Sequence, residues 1–258
     1  MWSWFEPAQL QQFLFVLMRV TAMLMALPLF GGPGVPVHLK VGLGALTALL
    51  LLPVVDPAPA VAHLGDLLVI IAQEVFVGLS MGFVVALTFF ALQVAGHLMD
   101  MPIGFGMVNV LDPHFGGQIP ILGQFYNALA TLIFFTINGH HGLLRALAAS
   151  YNVIPLGGAA WHGGLVAVIV QAVGGMFALG VRIAAPVIAA AFLTDVALGI
   201  VSRAVPQINV FITGYPIKIA VGIAALAVAL PVYVALLAAV FGDQGEMMRR
   251  LWQFLTAL

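Results

Sequence analysis

An all-α integral membrane protein is the fold class this sequence predicts, and three observations predict it. Of 258 residues, 63% are hydrophobic and 7% are charged, against roughly 25% charged in soluble domains. The apolar residues gather into six runs near the ~20 residues that carry a helix across a bilayer. Between the runs stand clusters of Gly, Pro and charge that read as turns. Charge narrows the function as well: 8 Lys plus Arg against 9 Asp plus Glu leave no basic excess to neutralise nucleic-acid phosphates. The absence of cysteine excludes disulfide frameworks, thiol nucleophiles and thiolate metal sites.

Residues 1–6 carry no basic stretch of the kind that opens a cleavable signal, so the N-terminus is expected to be retained, with Trp2 and Trp4 suited to a membrane interface. The apolar runs then cover 13–30, 39–55, 67–94, 121–137, 165–201 and 210–241. Turns are expected at Gly31-Gly32-Pro33-Gly34-Val35-Pro36, at Asp56-Pro57-Ala58-Pro59, over a long Gly-rich loop from 96 to 120, and over 155–164. The fifth run has 37 residues, about 55 Å as a helix against a hydrocarbon core of roughly 30 Å. It is expected to kink, fold into a hairpin near Pro186, or leave the bilayer. Arg19, Glu74, Arg182, Asp195 and Lys218 lie within or beside apolar runs, where lipid exposure costs a few kcal/mol each. Arg19, Glu74, Arg182 and Asp195 are therefore expected to be buried against protein or to face water, with Glu74 to Arg182 as one pairing.

Bond chemistry is not expected. No G-x-S-x-G or Walker A pattern occurs, and Gly31 to Gly34 lacks the Lys-Ser/Thr of a phosphate cradle. His140 and His141 are adjacent, with no second ligand at i+3 or i+4, and suit the capping of a helix C-terminus. No cofactor is implied. Two stretches carry more. In 93–120, Gly104, Gly106, Gly116 and Gly117 allow bending while Met107, Val108 and Leu111 stay apolar, a composition fit either to seal a hole or to serve as a connector. In 202–218, Pro206 ends a helix, Gly214 and Pro216 restrict the next, and Gln207 and Asn209 offer amides to exposed backbone.

The chain resembles the export-gate family of type III secretion that includes flagellar FliR and the injectisome T component. The resemblance runs through Arg19, Pro28, Pro36 to Lys40, Glu74, Gly78, Gly82-Phe83, Ala95-Gly96, Asp112-Pro113, Asn138-Gly139-His140 and Pro155-Leu156. Its most specific part is the spaced string Arg203, Pro206, Gln207, Phe211, Gly214, Tyr215, Pro216, Lys218, which the resemblance marks as a subunit-packing motif. It implies kinked helical hairpins assembling into a helical multi-subunit pore complex, with 1–155 as a FliP-like portion and 156–258 as a FliQ-like portion. The partners implied are FliP, FliQ and FlhB, with FlhA and a soluble ATPase in the wider machine and unfolded flagellar proteins as cargo. A pore plug is implied at Gly106, Met107, Val108, Asn109, Val110, Leu111, Asp112, Pro113, His114 and Phe115. The location implied is the bacterial inner membrane at the flagellar basal body, with part of the subunit on the periplasmic side. The alternatives are an injectisome paralogue, an inert assembly scaffold, and a secondary transporter using Glu74, Arg182 and Asp195.

Overall fold

A computed structural model describes residues 7–31, 35–59, 61, 63–105, 120–159, 163–207 and 209–258. Among these the chain forms α-helices and no strand. In chain order they are α1 (Pro7–Ala26), α2 (Pro28–Gly31), α3 (Val37–Leu51), α4 (Leu64–Ile103), α5 (Ile121–Thr136), α6 (Gly139–Val153), α7 (Leu165–Ala204), α8 (Val210–Phe241) and α9 (Glu246–Ala257). Four helical stretches are long and apolar enough to cross a membrane, and the pair α5 and α6, bent by 71°, makes a fifth if it is one span. The second apolar run is not among them, because α3 has 15 residues, about 22 Å.

The helix ends differ from the apolar runs in two places. Of the three outcomes expected for the fifth run, the hairpin is absent: α7 is one helix of 40 residues with Pro186 inside it. Proline removes one donor to the carbonyl four residues back, but where water is scarce the other backbone groups have no partner outside the helix, and one lost bond costs less than opening a turn. The third run also outlasts its expected end, since α4 continues through Gly96 and Asp100 to Ile103. Gly96 permits a close helix crossing there, as described below, and does not mark a turn.

The chain divides into two compact units. Unit 1 comprises Met1–Thr88, Phe135–Val173 and Val240–Leu258, and unit 2 comprises Phe89–Phe134 and Gly174–Ala239. In unit 1, α1 lies against α4 where Gly78 and Gly82 stand one turn apart. A Cβ on Gly78 would strike the carbonyl oxygen of Arg19, and one on Gly82 would come within 2.7 Å of the carbonyl oxygen of Met23. Small residues at this spacing let helix backbones approach where dispersion, with no hydrophobic effect between lipid-soluble surfaces, must hold them. Gly44 of α3 meets Thr21 of α1 in the same way.

Two helices of unit 1 were missed as apolar runs. α6 buries Leu143, Ala146, Leu147, Ser150 and Tyr151, and α9 buries Met247, Met248, Leu251, Phe254 and Leu255. Both follow the i, i+3/i+4, i+7 spacing of an amphipathic face. Phe254 meets Phe83 edge-on at 6.5 Å, and Arg250 of α9 donates to the carbonyl oxygen of Ala172 at 3.2 Å. The histidine pair opens α6 instead of closing a helix: Asn138 turns the chain with φ +59°, and His141 N–H donates back to its carbonyl oxygen at 3.0 Å.

Unit 2 is built from the C-terminal part of α4 with most of α5, α7 and α8. Gly180 of α7 brings its backbone to Ala91 of α4, where a Cβ would sit 2.9 Å from the carbonyl oxygen. Phe89 packs edge-on against Phe134 at 6.2 Å, and Tyr126 against Tyr233 at 5.4 Å. Such offset ring pairs add to the area they bury.

Candidate functional site

The two stretches singled out in the sequence meet in unit 2. Gly104 ends α4 with φ +105°, a conformation that glycine adopts without strain, and a Cβ there would lie 3.0 Å from the Tyr215 ring. Tyr215 stands in the second turn of α8. Two turns further, Gly222 touches Ile103. The end of α4 thus rests on the Gly214-Tyr215 stretch, with Gly214 buried and Tyr215 half-buried. Lys218 forms an ion pair with Asp195 of α7, and its ammonium stands 6.0 Å from the Tyr215 ring centre.

The chain returns at Pro120. There the buried Asp100 carboxylate accepts a hydrogen bond from the Leu122 N–H at 3.2 Å, which satisfies one of the orphan donors at the start of α5. Beside it a Cβ on Gly96 would land on the Gly123 backbone. The two ends of the intervening segment are therefore held by a ring contact on one side and a carboxylate cap on the other. Residues 106 to 115, where the plug was expected, lie outside the described residues. Asp100 had not been singled out. Its signal was available: a carboxylate near the end of an apolar helix, about twenty residues before another helix start.

The packing motif divides. Gly214, Tyr215 and Lys218 engage other residues of unit 2, whereas Arg203, Pro206, Gln207 and Pro216 are exposed. Phe211 lies in α8, and its side chain falls outside the described residues.

The four expected buried charges also divide. Arg19 and Glu74, in unit 1, are 0% and 1% exposed and pair at 2.7 Å. Arg19 donates further to Glu74 Oε1 (3.2 Å), to Ser150 Oγ (3.1 Å) and to the carbonyl oxygen of Ile154 (3.0 Å), and its guanidinium lies 4.2 Å from the Tyr151 ring centre. Glu74 Oε1 also accepts the Gly157 N–H at 3.0 Å. This network ties α1, α4 and the turn after α6 together, with each charge met by several partners, as a buried ion pair requires. Asp195 and Arg182, in unit 2, are exposed on the chain, so the chain itself does not cover them. Among the described residues, Glu74 pairs with Arg19 within unit 1 and Asp195 with Lys218 within unit 2.

Comparison with known proteins decides the family. The model for "Bacterial export proteins, family 1" matches residues 10–243. The chain belongs to this family. The export protein is 35% identical to the flagellar biosynthetic protein FliR of Bacillus subtilis over 242 residues, 93% of each chain. It is 27% identical to FliR of Escherichia coli over 215 residues, 83% of this chain and 82% of the relative. It is also 30% identical to the Yop proteins translocation protein T of Yersinia pestis over 192 residues, 72% of each. Flagellar and injectisome proteins thus share the family, and the export protein is a membrane component of a type III export apparatus of one of these two kinds.

Proposed function

We propose that the chain is a pore-forming subunit of the flagellar export gate, and that residues 106–115 plug the conduit until cargo displaces them. The observation that carries this reading is the fixed base of that segment: Gly104 on Tyr215 at one end, and Asp100 holding Leu122 at the other. An apolar, glycine-bearing stretch on a firm base suits a seal, since a hydrophobic constriction excludes water and ions without any charge. The subunit performs no bond chemistry in this scheme. It assembles with FliP and FliQ, engages FlhB, and works beside FlhA. Residues 1–155 take the FliP-like role and 156–258 the FliQ-like role. It sits in the inner membrane at the basal body, with part of the subunit on the periplasmic side. The greater coverage of the flagellar relatives, 93% against 72%, favours the flagellar machine over an injectisome.

Deleting residues 107–111 tests the plug. Ion leakage through assembled complexes, read as conductance in planar bilayers or as loss of membrane potential, should rise while the amount of complex stays the same. Unchanged conductance in the assembled deletion variant removes the plug. Failure to find the chain in any larger complex removes the gate-subunit reading itself.

A further inference from the structure

Arg182 presents an unresolved problem of charge. It stands near the middle of α7, 17 residues after Leu165 and 22 before Ala204, and it is exposed. Among the described residues no carboxylate pairs with it. The ion pairs there are Arg19 with Glu74, Arg145 with Asp243, Lys218 with Asp195 and Arg250 with Glu246. Its main chain is also short of a partner, since residue 186 is the proline whose N–H would have bonded the Arg182 carbonyl. A cation and a free carbonyl therefore share one position on the outer face of α7.

The surface around that position is apolar. Phe177, Val181, Phe192 and Leu193 are exposed on α7. Pro186 also forms one wall of a groove of about 630 Å³, whose other wall is a face of α8 that includes Ala225, Val228, Ala229 and Val232. Ala225 and Ala229 are one helical turn apart, the small-residue spacing that admits another helix closely. Neither simple solvent suits this face. Water would wet a wide apolar surface, and lipid would leave a guanidinium unpaired, at a few kcal/mol on insertion scales. An apolar helix carrying one carboxylate satisfies both.

We infer that Arg182 and the α7–α8 groove form a docking surface for a membrane-embedded helix of another export-apparatus subunit, a helix bearing an Asp or Glu that pairs with Arg182. This rests on the proposed place of the chain in a multi-subunit gate and adds the chemistry of one contact. The groove supplies close packing and the charge supplies register, because a buried ion pair tolerates few alternative partners.

The test uses the full chain in its own cells. A photo-crosslinking amino acid replaces Val228, which is 81% exposed and can change without disturbing the chain's own core. Illumination should join it to a transmembrane segment of a different apparatus subunit. Arg182→Glu should reduce that adduct by roughly tenfold or more, the scale of losing one well-placed buried charge partner, and Arg182→Lys should retain most of it. An Asp or Glu to Lys change in the crosslinked segment should restore the adduct in the Arg182→Glu background, which shows that the loss was not misfolding. Adducts only to lipid, adducts only between copies of this chain, an adduct indifferent to Arg182→Glu, or an adduct that no charge swap restores would each overturn the inference. These outcomes leave the gate reading standing if the chain still migrates in a large complex. Its absence from any such complex would instead remove the reading on which the inference rests.

Discussion

In unit 1 a guanidinium and a carboxylate are shut away from solvent, and each has several partners supplied by the same chain; in unit 2 the corresponding charges lie on the surface. Arg19 and Glu74 are 0% and 1% exposed, while Arg182 is exposed and Asp195 is only half-covered by its pairing with Lys218. The helices show the same contrast. In α4, 72% of the most apolar stretch is buried within the chain, against 22% in α7, although each has 40 residues. Hydropathy alone does not separate them. A helix that is apolar all round is completed by something, and the difference shows that α4 is covered mostly by its own chain while α7 leaves most of its apolar surface uncovered by the chain.

The sharpest way to break this contrast is to remove one partner of the buried pair. Arg19→Ala leaves Glu74 enclosed with only the Gly157 N–H among its described partners, and Glu74→Ala leaves Arg19 with Ser150, the Ile154 carbonyl and the Tyr151 ring. Either change should cost about 3–5 kcal/mol, read as loss of the protease-resistant chain from membranes and as a lowered midpoint of thermal unfolding in detergent. The double change Arg19→Met with Glu74→Leu should cost less than either single change, because no uncompensated charge remains. Equal losses in all three variants would mean that packing, and not charge satisfaction, holds α1 to α4.

Much of this architecture was legible in the apolar runs, because length and hydropathy are local properties. Runs at 13–30, 67–94, 165–201 and 210–241 correspond to α1, α4, α7 and α8. What escaped was whatever depends on a neighbour. α6 and α9 carry polar outer faces, so their mean hydropathy fell below that of a run even though their buried faces keep a helical period. Gly96 was read as a turn because glycine punctuates chains, whereas here it admits the Gly123 backbone from a helix 25 positions on. The Arg19 to Glu74 pairing spans 55 residues, beyond any spacing rule. At the candidate site, the sequence marked Tyr215 and Lys218 within one string and Gly104 within another, but their contact is a property of the fold.

An intermediate effect is expected where a helix crossing has no room. Gly78→Ala drives a Cβ into the Arg19 carbonyl and within 2.9 Å of Ala22 Cβ. Backbone cannot step aside as a side-chain tip can, so the crossing must widen, at about 1–3 kcal/mol for overpacking. The same exchange at Gly96, against the Gly123 backbone, should cost a comparable amount in unit 2 and should also raise leakage if the base of residues 106–115 shifts. Thermal midpoints of the purified chain report the first effect, and bilayer conductance of the assembled complex reports the second. A Gly96→Ala variant that loses stability with no change in conductance would separate the helix crossing from the plug.

The smallest effect carries the comparison furthest, because its sign differs between the free and the assembled chain. Gly174 lies inside α7 on an exposed face, and a Cβ there meets nothing within 4 Å. Alanine should therefore stabilise the isolated chain by about 0.5–1 kcal/mol, since glycine in a helix interior gives up more conformational freedom on folding. In the complete apparatus the expectation reverses. If a neighbouring helix uses the bare Cα of Gly174 to approach α7, a methyl group there holds it off, and the yield of large complex falls as that of the free chain rises. Parallel thermal midpoints in detergent and complex yields from membranes decide the matter. A Gly174→Ala chain destabilised in isolation would show that α7 packs internally after all, and one stabilised both alone and in the complex would leave this part of the helix to lipid.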